Sequence, residues 1–186
     1  MYPKNDPDDA KALRLFIEGG AVHFVKKRFR KNELIVRQGE VCPWFCYVES
    51  GILQHLIEVE NGEKTTYLAL RNTFTSSLRS FLSGTPSRKS IKAIADSTVW
   101  VIDRPGFEKR MADDPTFRDY YHQLIERQIC LIDEYRIDLL TLTPEARYRK
   151  LLATEPKLLL EIPLRHLASF LGISDRHMSR IRKSVR

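Results

Sequence analysis

Arg176, Arg180, Arg182 and Lys183 crowd the last stretch of the sequence, with Ser174, Asp175, His177 and Ser179 interleaved among them. From Leu164 onward the bases are Arg165, Arg176, Arg180, Arg182, Lys183 and Arg186, and Asp175 is the single acid. This stretch therefore carries +5 of the chain's formal +7. Nucleic-acid affinity comes largely from neutralising phosphates, so a concentrated cationic surface is a physical requirement for it. Guanidinium groups suit guanine edges, carboxylates accept from cytosine, and hydroxyls and lysines suit phosphate oxygens. On those grounds Asp175, Arg176, His177 and Arg180 are expected at base edges of duplex DNA. Ser174, Ser179, Arg182 and Lys183 are expected at its phosphates.

Side chains read a groove only when one helix presents them and another braces it. Leu164, Leu167, Ala168 and Leu171 share one face of a helix predicted from Pro163 to Leu171. Gly172 supplies the left-handed residue that ends this helix, Ile173 plugs the joint, and Ser174 caps the next helix. Met178 and Ile181 then turn inward, while the small Ala168 lets the helices cross closely. That pattern is a helix-turn-helix. Thr143-Pro144-Glu145 starts a supporting helix that runs to about Thr154, before Pro156. Backbone contacts are expected from helices 144–154 and 163–171 and from Ser184-Val185-Arg186. Upstream, Asp114 caps and Pro115 opens a long helix that meets no Gly or Pro before Pro144. Phe117, Tyr121, Leu124, Gln128, Leu131, Tyr135 and Leu139 keep a three-or-four spacing along it. Such length suggests a coiled coil, with the Phe117–Leu139 stripe packed on a second copy.

Before Asp113 the sequence changes period. Residues 33–37, 45–49, 52–59, 65–70 and 98–102 are short runs rich in β-branched and aromatic residues, separated by Gln38-Gly39-Glu40, Ser50-Gly51 and Asn61-Gly62. Asn-Gly between two such runs marks a hairpin, and the set predicts a β-roll, barrel or sandwich. Lys26-Lys27-Arg28 and Arg30-Lys31 are expected as a charged strand edge that blocks unwanted pairing. The pairs Trp44/Phe45 and Tyr120/Tyr121 are expected in packing.

The 186 residues are 42% hydrophobic and 30% charged, a folding composition long enough for one large or two small domains. No apolar stretch approaches the roughly 20 residues of a membrane helix. Met1 to Asp9 is polar and acidic, so a cytoplasmic protein without a membrane partner is expected. Cys42, Cys46 and Cys130 are too few for an all-cysteine cluster, and Cys42 and Cys46 lack Cys-x-x-Cys spacing. His23, His55 and His122 are isolated. No metal, haem or other cofactor is expected, and the absence of a His-x-His set argues against a cupin-type enzyme or any enzyme.

The chain resembles the bacterial Crp/Fnr superfamily of transcription regulators over nearly all its length. Gly39-Glu40 through Tyr47-Val48-Glu49-Ser50-Gly51 resembles that family's Gly-Glu … Tyr-(Val/Ile)-x-x-Gly roll signature. Asp114 to Leu140 falls where the family has its dimer helix, and Ser174 to Ile181 aligns with its recognition helix. The resemblance implies an α+β chain: a cyclic-nucleotide-binding-like β-roll sensor over 1–113, a dimerisation helix over 114–141 and a helix-turn-helix domain over 142–186. It also implies a homodimer on double-stranded DNA with two-fold related half-sites, and RNA polymerase as a further partner. The sensory residues depart from the founding pattern. Ser77 stands where cyclic-nucleotide binders carry a ribose-holding Glu. Counting back from Ala93 puts Ser87 at the phosphate-holding Arg, while a slip of one residue puts Arg88 there. Losing both partners argues against cyclic AMP. Ser76, Ser77, Arg88 and Lys89 remain as a candidate pocket for another effector. The alternative reading is a small-molecule or anion sensor whose C-terminal helices bind a protein.

Overall fold

The chain is described by a computed structural model covering residues 16, 24–60, 62–154, 159 and 161–184. Residues 1–9, His23, Asn61, Pro156, Val185 and Arg186 lie outside the described residues. The apolar runs become β1 (Val25–Phe29), β2 (Leu34–Val36), β3 (Trp44–Ser50), β4 (Leu53–Val59), β5 (Gly62–Ala69), β6 (Thr73–Thr75), β7 (Ser90–Ala93) and β8 (Ser97–Asp103). They form two four-stranded antiparallel sheets, ordered β1-β8-β3-β6 and β2-β7-β4-β5. The β4–β5 hairpin lies where Asn-Gly predicts it, with Val59 opposite Gly62. The basic run forms β1, an edge strand, as expected. Its Lys26 and Lys27 lie over the rings of Trp100 and Trp44.

Helix α1 (Leu78–Ser83) bridges β6 and β7, and α2 (Arg104–Asp113) follows β8. Asp103 begins α2 by accepting from the Gly106 amide, with Pro105 in the first turn. That cap-and-proline signal marks a helix the strand reading passes over. Next comes α3 (Pro115–Thr141), capped as expected, with Asp114 Oδ1 accepting from the Phe117 amide at 3.0 Å. The other Asp114 oxygen pairs with the buried Arg110 guanidinium at 2.6 Å. The chain ends in α4 (Pro144–Thr154), α5 (Leu164–Leu171) and α6 (Asp175–Ser184).

Two cores hold this together. In the first, Phe45 stacks on Phe74 at 5.2 Å and meets Phe81, Phe107 and Tyr121. Phe117, Tyr121 and Leu124 of α3 belong to this roll core. This corrects the expected pairing stripe: its first three residues are consumed within the chain. In the second core, Ile52, Leu68, Leu70 and Ile94 of the roll pack with Leu167, Ala168, Leu171, Met178 and Ile181.

That second core docks the helix-turn-helix on the outer edge of β5. Ser169 Oγ of α5 accepts from the Thr65 amide at 2.9 Å, giving an otherwise unpaired edge group a partner. Beside it, Lys92 bridges both oxygens of Glu63 at 2.8 Å. His166 is buried and accepts from Arg165 Nε at 3.1 Å. Burial, followed by the charges of Arg165 and Lys92, lowers its pKa from 6.5 to about 4.

Gly51 turns the chain between β3 and β4 at φ +87, where a Cβ would fall 2.6 Å from the Asp96 carbonyl oxygen and 2.7 Å from Ser97 Cα. Gly51→Ala is expected to destabilise the fold by about 1–3 kcal/mol, read from urea unfolding. The His166 shift gives a second expectation. The unfolded chain gains a proton below 6.5 that the folded protein refuses until about 4. Its stabilising contribution is thus complete above pH 6.5 and declines as pH falls through that window. Melting temperature followed against pH should fall less steeply there in His166→Gln than in the natural chain.

Candidate nucleic-acid interface and roll cavity

The α5–α6 turn follows the sequence logic closely. Gly172 adopts φ +71 and its amide reaches the Ala168 and Ser169 carbonyls, while the Ile173 amide also bonds Ala168 O at 3.0 Å. These bonds satisfy the last carbonyls of α5 and swing the chain sharply into α6. Ser174 Oγ accepts from the His177 amide at 3.2 Å, capping α6. Met178 and Ile181 are buried against Ala168 and Leu167 in one cluster. Their burial fixes the rotation of α6 and with it the direction of every other side chain.

The opposite face of α6 carries the expected residues. Ser174, Asp175, Arg176, Arg180, Arg182 and Lys183 are exposed. Among the described residues, no ion pair engages Arg176, Arg180, Arg182 or Lys183. Two expected contact residues are already engaged within the protein. His177 Nε2 lies 2.8 Å from Glu145 Oε1 of α4, and Ser179 Oγ donates to its own helix at Asp175 O. The Glu145 carboxyl is held below its ordinary pKa, first by its own backbone amide and then by His177. The contact therefore braces α6 on α4.

The long helix leaves a second surface open. Ile129, Ile132, Ile137, Leu139 and Leu140 are exposed, Ile132 by 65% and Leu140 by 76%. At 3.6 residues per turn, Ile129, Ile132 and Leu140 centre about a quarter-turn from the buried Phe117–Leu124 face, while Leu139 stays in line with Tyr121. Lys150 Nζ of α4 pairs with both Asp138 oxygens at 2.8 and 2.6 Å, and Arg147 donates to the Leu171 carbonyl. These contacts tie α3 and α4 to the helix-turn-helix. Cys42 and Cys46 are buried free thiols, and Cys130 is exposed on α3.

Between the sheets, under α3, lies a cavity of ≈ 280 Å³. Ser76 and Lys89 line it, whereas Ser77 and Arg88 do not. Ser77 Oγ is instead hydrogen-bonded to Ser87 Oγ at 2.7 Å, both residues buried, and Arg88 is exposed. The places of the expected glutamate and arginine are thus filled by two serines closed on each other, with Ser87 as the inward residue. The lining also holds His55, set aside in the sequence as isolated, and Tyr67, which the sequence did not single out. They are directly opposed across β4 and β5, so the pleat projects both to one face. A histidine inside an apolar strand was the available signal. His55 Nε2 meets Thr75 Oγ1 at 2.7 Å, while His55 Nδ1 and the Tyr67 hydroxyl are buried without a hydrogen-bond partner among the described residues. Burial, then the Lys89 charge, holds the His55 pKa well below 6.5. Among the described residues no His, Cys, Asp and Glu cluster has metal-binding geometry, and no helix is long and apolar enough to cross a membrane.

Residues 26–114 match the sequence profile of the cyclic nucleotide-binding domain family. No curated protein matches the chain in sequence. Among solved structures, FixK2 from Bradyrhizobium japonicum superposes with a TM-score of 0.76 at 18% identity, over 87% of this chain and 84% of its own. The c-di-GMP-responsive global regulator CLP of Xanthomonas campestris gives 0.69 at 16%, over 95% and 91%. A Crp/Fnr-family regulator from Eubacterium rectale gives 0.68 at 17%, over 96% and 82%. The roll, the long helix and the terminal helices together thus share the fold of these Crp/Fnr-type regulators, and residues 26–114 within it match the cyclic nucleotide-binding domain family.

Proposed function

We propose that this protein is a homodimeric, sequence-specific DNA-binding transcription regulator of Crp/Fnr type that acts in the cytoplasm and does not respond to cyclic AMP. The observation that carries the reading is the outer face of α6. Arg176, Arg180, Arg182 and Lys183 project from the second helix of a helix-turn-helix whose inner face is fully committed to packing. Four exposed cations without an ion-pair partner among the described residues suit a polyanion, and their helical spacing suits a major groove. Arg176 and Arg180, with Asp175, sit toward bases, and Arg182, Lys183 and Ser174 toward phosphates. His177 orients α6 through Glu145 in addition to any base contact, and Ser179 stays close to its own backbone.

The exposed aliphatic face of α3 supplies the second copy. Large apolar side chains in a continuous stripe mark an association surface, and a parallel partner helix would cover Ile129, Ile132 and Leu140. Two readers would then face half-sites about 34 Å apart, one helical turn of DNA. RNA polymerase is the natural further partner of such a complex. The absence of cyclic AMP from this scheme rests on the Ser77–Ser87 hydrogen bond, which leaves neither residue to hold ribose or cyclic phosphate.

A duplex selected from a random pool gives the test. Arg180→Ala is expected to weaken binding to the selected site by about 1–3 kcal/mol and relax one base position. Raising salt should weaken the natural protein steeply. Equal loss on every sequence would reassign Arg180 to phosphate, and no DNA binding by a folded dimer would favour a protein partner instead. Ile129→Asp is expected to yield monomers in sedimentation and to weaken DNA binding, because the two half-sites are no longer engaged together.

A further inference from the structure

We propose that the cavity under α3 binds a compact apolar monocarboxylate, its carboxylate held by Lys89 and the Tyr67 hydroxyl and its body packed among Phe45, Phe74, Leu124 and Ile125. The first observation is charge. Lys89 lines the cavity, no carboxylate shares the lining, and no ion pair engages Lys89 among the described residues. A partly buried cation without a counter-charge costs stability, and an anion in the cavity would reduce that cost. Burial lowers the Lys89 pKa, as an uncompensated ammonium requires. The second observation is polarity. The Tyr67 hydroxyl and His55 Nδ1 are buried on the same wall without partners among the described residues. Buried polar groups in folded proteins are nearly always paired, so two such groups beside a lysine suit the polar end of a ligand.

Size and shape narrow the class. One cation and two neutral groups balance a single negative charge, which suits a carboxylate better than a phosphate dianion. Most of the remaining wall is aromatic and aliphatic, so the body of the ligand is apolar. A cavity of ≈ 280 Å³ exceeds the roughly 150 Å³ that suffices for a benzene-sized body. That fits an aromatic or branched aliphatic acid. The roof of the cavity is α3, through Leu124, Ile125, Gln128 and Ile132. Ile132 also belongs to the exposed aliphatic face. On the regulator reading above, an occupant therefore bears directly on the helix that would pair with a second copy.

Calorimetry on the full chain, without DNA, tests the site apart from the reader. The probes are benzoate, phenylacetate and isovalerate, the neutral amide of each, inorganic phosphate and cyclic AMP. At least one acid should bind, and its amide should bind roughly tenfold or more weakly, because the amide lacks the charge that Lys89 meets. Phosphate and cyclic AMP should give no binding heat. Lys89→Met should reduce the acid to the affinity of its amide. Tyr67→Phe, which removes only a hydroxyl, should weaken the acid several-fold and serves where Lys89→Met fails to fold. Equal affinity for acid and amide, acid binding untouched by either substitution, cyclic AMP displacing the acid, or no acid bound by folded protein each overturn the proposal. Acid binding in a protein that ignores DNA would leave the site standing and sink the regulator reading. DNA binding without acid binding would do the reverse.

Discussion

A helix that begins inside one hydrophobic core is not free to choose which face it shows farther along. Phe117, Tyr121 and Leu124 are locked among Phe45, Phe74 and Phe107, and Asp114 both caps the helix and anchors Arg110. Those contacts set the rotation of α3 about its own axis. Because the rotation persists over 27 residues, the direction of Ile129, Ile132 and Leu140 is decided at the roll, several turns earlier. The roof of the cavity, the exposed aliphatic face and the Asp138–Lys150 tie to α4 follow from the same choice. A shift at the roll end of the helix cannot stay local, since packed interfaces move between discrete arrangements and do not deform continuously.

The parts of this architecture legible in the sequence are those written in local chemistry. Asp114-Pro115, Gly172 and Ser174 are cap and turn residues whose partners lie within a few positions, so their roles can be read without a fold. Met178 and Ile181 declare their inward direction by spacing alone. The stripe from Phe117 to Leu139 misled because a three-or-four period shows that a helix has an apolar face, not what covers it. Here the beginning of the stripe faces the chain's own roll, and the outward aliphatic face is rotated from it. β6 and β7 are too short to announce themselves, and their pairing with β3, β2 and β4 depends on distant partners. The same holds for the cavity: His55 and Tyr67 become neighbours only through hairpin register, and Lys89 reaches them from another loop.

The helix-turn-helix illustrates how a basic surface stays both stable and available. Its stability comes from the inner face, where Ala168 and Met178 are fully buried and α5 adds roll residues to the same cluster. Its outer face makes no demand on folding, since the cations there stay in water. A polar brace at Glu145–His177 sets the tilt of α6 without masking Arg176 or Arg180. Packing and exposed positive charge thus occupy opposite sides of one ten-residue helix.

The seat of α5 on β5 has a further cost attached. While Ser169 covers the Thr65 amide, the open margin of the second sheet has a cap made from the reader itself. Were the terminal helices to swing away, that margin and the apolar patch of Leu68, Leu70 and Ile52 would be bared together, an invitation to strand addition between molecules. The same contact that seats the terminal helices therefore guards against clumping, which favours small pivots about the seat over wholesale departure from it.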